Sequence, residues 1–145
     1  MVRILLIALS ASILFPISGC SYNKKTSINH LPVIETLVKA KESWNGDPYS
    51  YPLGEAELTL LKMTVPVGFR TPVHTHLQPG IAYVAEGKLE CVVKADKTAI
   101  FSAGEAFATT FGETPHYCES VGEKDSLVFV TYAGVEGQQL TIPYK

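Results

Sequence analysis

Three histidines in this sequence could act together. His74 and His76 sit two residues apart in Gly68-Phe69-Arg70-Thr71-Pro72-Val73-His74-Thr75-His76, and His116 follows forty residues later. Alternate side chains of an extended strand share a face, so His74 and His76 are expected to project to one side. His116 falls inside a second strand-like stretch. Three neutral imidazole nitrogens converging inside a β-barrel predict a site for a divalent transition metal. The donor set does not select among Fe, Mn, Zn, Ni and Cu.

The elements that must position these residues read as strands. Glu57 to Val65 is a period-two run closed by Pro66. The histidine strand comes next, then Ile81 to Ala85, closed by Glu86-Gly87. Lys88 to Lys94 alternates cleanly and places Leu89, Cys91 and Val93 inward. Ala95-Asp96-Lys97 turns the chain. Thr98 to Ser102, Ala106 to Thr110, His116 to Ser120 and Leu127 to Ala133 are further short strands, and Gln138 to Tyr144 is a last edge segment. Short strands at this spacing with turn residues between them predict an all-β sandwich or barrel. Ile81 to Ala85 is apolar on both faces. Its outer face should therefore meet an N-terminal wrap or a second copy of the chain, as in a homodimer.

Ahead of the barrel, Leu31 to Ser43 reads as a helix or an irregular strand, with Val33, Ile34, Leu37 and Val38 at helical spacing. Trp44 to Pro52 is turn-rich and aromatic, a segment expected to wrap the core and cover an edge strand. Trp44, Tyr49, Tyr51 and Tyr83 are read as packing residues, and Arg70 as a surface residue.

The first nineteen residues do not belong to this fold. Arg3 is a positive start, and Ile4 to Phe15 is an apolar run too short for a comfortable bilayer crossing. Ile17-Ser18-Gly19-Cys20 resembles a bacterial lipoprotein signal, which implies cleavage before Cys20 and lipid on its thiol; an ordinary secretory signal is the alternative. Residues 1–19 are thus expected to be a signal peptide and 20–32 a lipidated cysteine with a polar tether in which His30 is solvated. Residues 33–145 form the barrel domain. The expected location is a membrane surface facing the periplasm, with Ser21 permitting the outer membrane. With Cys20 assigned, Cys91 and Cys118 remain, either paired in an oxidising compartment or free and buried. The 145 residues carry a net charge of -2 and no basic block, which argues against a nucleic-acid partner.

The residues now named carry a resemblance. Gly68, His74-Thr75-His76 and Gly87 resemble the first cupin motif, G(X)5HXH(X)3-4E(X)6G. Gly104 to His116 resembles the second, G(X)5PXG(X)2H(X)3N. The likeness to small single-domain cupins extends through Lys41 to Gly46, Thr64 to Gly68, Thr114-Pro115-His116 and Phe129 to Gly134, covering about residues 33 to 143. It implies a single jelly-roll barrel with His74, His76 and His116 as metal ligands. The departures are specific. The motif's glutamate should stand at position 80 or 81, which are Gly80 and Ile81. Thr110 takes the place of the second motif's proline, its histidine comes one residue late, and Ser120 takes the place of its asparagine.

A fourth ligand could be water, Gln78 by strand parity, or Glu113 from a loop. Cys118 shares parity with His116 and could be a small buried hydrophobe, a group behind the ligands, or the partner of Cys91. Without a carboxylate the metal would keep its full charge and open positions for a chelating anionic ligand. The resemblance implies three readings: a three-histidine, dioxygenase-like enzyme on a small organic substrate, a non-catalytic module that binds a metal or small ligand, or a structural protein with a vestigial site. No general base is evident.

Overall fold

The computed structural model describes residues 31–93 and 97–145. The contacts of the chain separate Met1–Val33 from Ile34–Lys145, and the fold below is that of the second unit. The expected signal peptide, Cys20, His30 and, of the expected Ala95-Asp96-Lys97 turn, Ala95 and Asp96 lie outside the described residues, while Lys97 begins a strand.

Among the described residues nine strands follow in order: β1 (Ala56–Val65), β2 (His74–His76), β3 (Gly80–Glu86), β4 (Lys88–Val93), β5 (Lys97–Ser102), β6 (Ala106–Ala108), β7 (Gly112–Ser120), β8 (Ser126–Val135) and β9 (Ile142–Pro143). One sheet has the order β1-β8-β3-β6 and the other β5-β4-β7-β2-β9. Every paired neighbour is antiparallel, and no described residue is helical. The fold is the expected all-β jelly roll. Among the described residues no helix is long and apolar enough to cross a membrane.

Alternation decides which side chains reach the interior. On β4, Leu89, Cys91 and Val93 are buried and their neighbours are not, as the sequence predicts. On β8, Ser126, Val128, Val130 and Tyr132 turn inward. On β3, Gly80, Ala82 and Val84 do the same. These residues, with Phe107 from β6, form the core between the sheets. Full burial of one valine such as Val84 or Val128 stabilises by about 1.5–3 kcal/mol. Cys91 and Cys118 face each other across β4 and β7 and form a disulfide, which decides the alternative left open by the sequence.

The segment before β1 departs from expectation. Residues 31–40 adopt neither helix nor strand. Val33 and Ile34 are exposed, so the helical spacing buries nothing there. Farther on, the backbone N–H of Trp44 donates to Ala108 O at 3.0 Å. The Tyr49 hydroxyl donates to Thr109 O at 2.5 Å and to Gly80 O at 3.3 Å. The aromatic segment thus covers the β6 edge, as expected. Its cover of the β3 outer face is partial: Ile81 stays 43% exposed beside Leu58 and Leu60.

Candidate metal centre

The histidines rest on a short, irregular piece of sheet. His74 pairs with His116 of β7, and a regular ladder would then place His76 opposite Thr114. His76 instead lies opposite Gly112. The plain histidine strand expected from the sequence is therefore three residues with a register shift. Pro115 cannot donate a ladder hydrogen bond, and Gly112 has φ 75°. The resulting bulge re-aims side chains, a device common beside functional sites.

The bulge brings the three rings together. Ring centroids are 4.3 Å apart for His74 and His116, 4.8 Å for His74 and His76, and 5.0 Å for His76 and His116. Their ligand atoms all lie within 4.8 Å of one another. Each Nδ1 faces a backbone carbonyl: His74 faces Pro72 O at 2.6 Å, His76 faces Leu140 O at 2.5 Å, and His116 faces Thr114 O at 3.3 Å. A carbonyl only accepts, so each Nδ1 carries the proton and each Nε2 keeps its lone pair. Such outer contacts fix the tautomer and ring orientation of metal-ligating histidines. The arrangement fits a divalent transition ion. Metal–nitrogen bonds near 2.1 Å allow two donors to lie at most about 4.2 Å apart, so separations of up to 4.8 Å close on an ion with small side-chain adjustments.

Burial holds the imidazoles neutral. It pushes His76 down to about 4, opposed by the Leu140 carbonyl. It pushes His116 down to about 3, helped by the neighbouring His74 and His76. It lowers His74 as well. Neutral rings at physiological pH are the form that binds a metal.

The cluster lies in the wall of a cavity of about 330 Å³ between the sheets. Of the three residues proposed from sequence beside the cluster, two stand apart from it and Cys118 lines the cavity as expected. Gln78 is buried, but its Nε2 donates to Gln138 Oε1 at 3.1 Å and it does not line the cavity. Glu113 is exposed: it lies in β7 and not in a loop, an odd number of residues from the inward His116, so it faces outward and lies outside the lining. Cys118 does line the cavity, but its sulfur is bonded to Cys91 and is no free thiol. Arg70 pairs with Glu119 at 2.7 Å on the surface and stacks on the outward ring of Tyr117. Trp44, read as packing, is part of the cavity wall, and its Nε1–H donates to Thr110 Oγ1 at 3.0 Å.

Tyr132 is the site residue that sequence reasoning missed. Its hydroxyl meets His76 Nε2 at 3.2 Å. Since that nitrogen carries the lone pair, the phenol donates. Strand parity with Val128 and Val130 was the signal that could have found it. Its register partner is Gly80, the inward one of the two positions where the cupin glutamate would stand. A Cβ at Gly80 would come within 2.7 Å of Thr109 Oγ1 and 2.8 Å of both Thr131 O and Tyr132 Cδ1. The space a carboxylate needs is filled by Tyr132 and Thr109.

A family model for the cupin domain matches residues 61–132, spanning all three histidines and Tyr132. The chain is a small cupin. Solved structures of similar fold include a cupin 2 domain-containing protein from Halorhodospira halophila, with TM-score 0.50, 15% identity, and coverage of 61% of this chain and 58% of that one. The polyketide cyclase RemF from Streptomyces resistomycificus aligns with TM-score 0.51 and 20% identity, covering 63% of each chain. The matched part of this cupin therefore spans less than two thirds of either protein. No curated protein matches its sequence.

Proposed function

We propose that this cupin holds a divalent transition metal on His74, His76 and His116 and uses it to bind a small organic ligand in the cavity. The observation that carries the reading is the set of three Nδ1 contacts to backbone carbonyls. They leave three lone pairs facing one another in neutral rings. When bound, the ion supplies Lewis acidity and open coordination positions and, if iron, the activation of dioxygen. The chain itself supplies orientation, a largely apolar wall and one phenol. The enzyme reading is a metal-dependent, dioxygenase-like reaction on an organic molecule. A second reading, a non-catalytic metal or small-ligand binder, is favoured by one observation: among the described residues no Asp, Glu, Lys or Arg lines the cavity, so none of these stands ready as a general base.

The first test is elemental analysis of protein purified from its native compartment. Stoichiometric metal is expected, and the triple variant His74→Ala/His76→Ala/His116→Ala should retain none. Equal metal in the variant would overturn the reading. Oxygen uptake across thiol, diketone and phenolic substrates then separates catalysis from binding.

Export and anchoring through Cys20 are part of the proposal. The Cys91–Cys118 disulfide supports it, because such bonds persist in oxidising compartments. The exposed Leu58, Leu60 and Ile81 on one sheet face support a homodimer. Cys20→Ser should release the protein from the membrane fraction, and sedimentation should report the dimer.

A further inference from the structure

The cavity's polarity is distributed unevenly over its wall. At the mouth stand Pro72, Thr141 and Pro143, all exposed, with the half-buried His74 beside them. Elsewhere in the wall stand Ala82, Leu89, Phe107 and Val130, each at most 7% exposed. His76, His116 and Tyr132 line the same cavity and are as buried as this apolar group. Among the described residues no charged side chain lines any part of the wall. Apart from the histidines and Tyr132, the buried wall offers a second charge only the Thr109 and Thr110 hydroxyls, and burying an unpaired carboxylate in such surroundings is strongly unfavourable.

The wall also holds a sign that an occupant belongs there. Thr109 Oγ1 is buried and has no hydrogen-bond partner within the protein. It borders the cavity and lies beside the Tyr132 ring, on the inward side of Gly80. A buried hydroxyl left unpaired is unfavourable, and a ligand or ordered water must satisfy it.

From this geometry we infer the ligand class: a small molecule with a single charged or chelating end and an otherwise apolar, ring-sized body. The polar end stays at the histidines and Tyr132, and the apolar body fills the space bounded by Ala82, Leu89, Phe107 and Val130. Molecules with a charge at each end, such as dicarboxylates, are rejected. The inference rests on the metal reading above and narrows it from any chelating anion to a one-ended one.

The experiment uses the full mature chain loaded with zinc, a redox-silent ion, with metal content measured on the same sample. Isothermal titration compares 4-nitrobenzoate with terephthalate, two probes of similar shape that differ in the second charge. The nitro compound is expected to bind at least tenfold tighter. A variant that fills the apolar part of the cavity, Ala82→Leu, should weaken it by a similar factor while metal content stays the same. Because that variant alters a packed position, the probe pair on the wild-type chain is the primary measurement. Equal or tighter binding of terephthalate, or no binding of either probe to metal-loaded protein, overturns the ligand class alone. A sample that takes up no zinc overturns the metal reading and the ligand class with it.

Discussion

The two sheets meet the same cavity on different terms. The five-stranded sheet brings the nitrogen donors, on β2 and β7, and each ring meets a backbone carbonyl, that of Thr114 within β7 and those of Pro72 and Leu140 in the segments before β2 and β9. The four-stranded sheet brings shape: Ala82 and Val130 for the wall, and Tyr132 where the cupin carboxylate would reach. One side keeps the family's ligands and the other replaces its charge with a neutral phenol. The difference teaches that the missing glutamate is a repacked position and not a simple deletion. Gly80, Thr109 and Tyr132 fit as a set, so the carboxylate cannot be restored by one substitution.

That contrast can be broken most severely at Gly80. Gly80→Glu would drive a side chain into the Thr131 carbonyl and the Tyr132 ring and bury an unpaired carboxylate. A loss above about 4 kcal/mol in urea unfolding is expected, enough to leave little folded protein. Normal stability together with tighter metal binding would mean that the space is open and the glutamate merely absent. The disulfide on the donor side comes next. Cys91→Ala/Cys118→Ala opens a cross-link between residues 27 apart, for which loop-closure entropy predicts a loss of about 3–4 kcal/mol. Metal content should persist, because the hydrogen bonds of β4 and β7 still place His116. Loss of metal in a folded double variant would make the disulfide part of the site.

The donor half of this contrast was legible in the sequence, and the wall half was not. His74, His76 and His116 stand at motif spacing, and alternation on β4 and β8 announces the core. What the sequence hides is the bulge between His74 and His76, because a register shift is set by what the partner strand does at Gly112 to Pro115. Glu113 stays out of the site for a simpler reason: β7 runs through it, and three residues from His116 is the opposite face of a strand. Gln78 had the right parity, but it lies after β2, where parity from His74 no longer governs, and its amide found Gln138. Tyr132 was hidden for another reason. It touches His76 across a sequence separation of 56, and nothing local distinguishes it from an ordinary core tyrosine. The Val33 to Val38 periodicity failed because helix formation needs a surface to bury against, and none meets Val33 or Ile34.

Acid should separate the two halves again. His76 and His116 are held down to about 4 and about 3 from an ordinary value of 6.5. Between those limits the unfolded chain binds protons that the folded chain refuses. Stability of the metal-free protein therefore falls as pH drops below about 6.5 and levels off below about 3. Each histidine contributes a slope of about 1.4 kcal/mol per pH unit within its window. The paired variant His76→Asn/His116→Asn should flatten this part of the profile. An unchanged slope would show that the rings are open to protons in the folded state, and a site that protonates so readily would not be the neutral donor set described above.

The smallest expected effect bears most directly on how the two sheets cooperate. In the metal-free protein the Tyr132 hydroxyl occupies the His76 Nε2 lone pair, and a metal on that lone pair must displace it. Tyr132→Phe removes one neutral hydrogen bond, so the metal-free protein should lose about 1 kcal/mol. The metal-bound state never had that bond, so it should lose nothing of it. By linkage the variant then binds zinc tighter, by about fivefold for the same 1 kcal/mol. A competition titration against a chromophoric chelator reads the sign. Tighter binding places the phenol as a cap on the empty donor set, released when the ion arrives. Weaker binding would instead place the phenol oxygen on the metal side of the equilibrium, making the four-stranded sheet a source of a ligand as well as of shape.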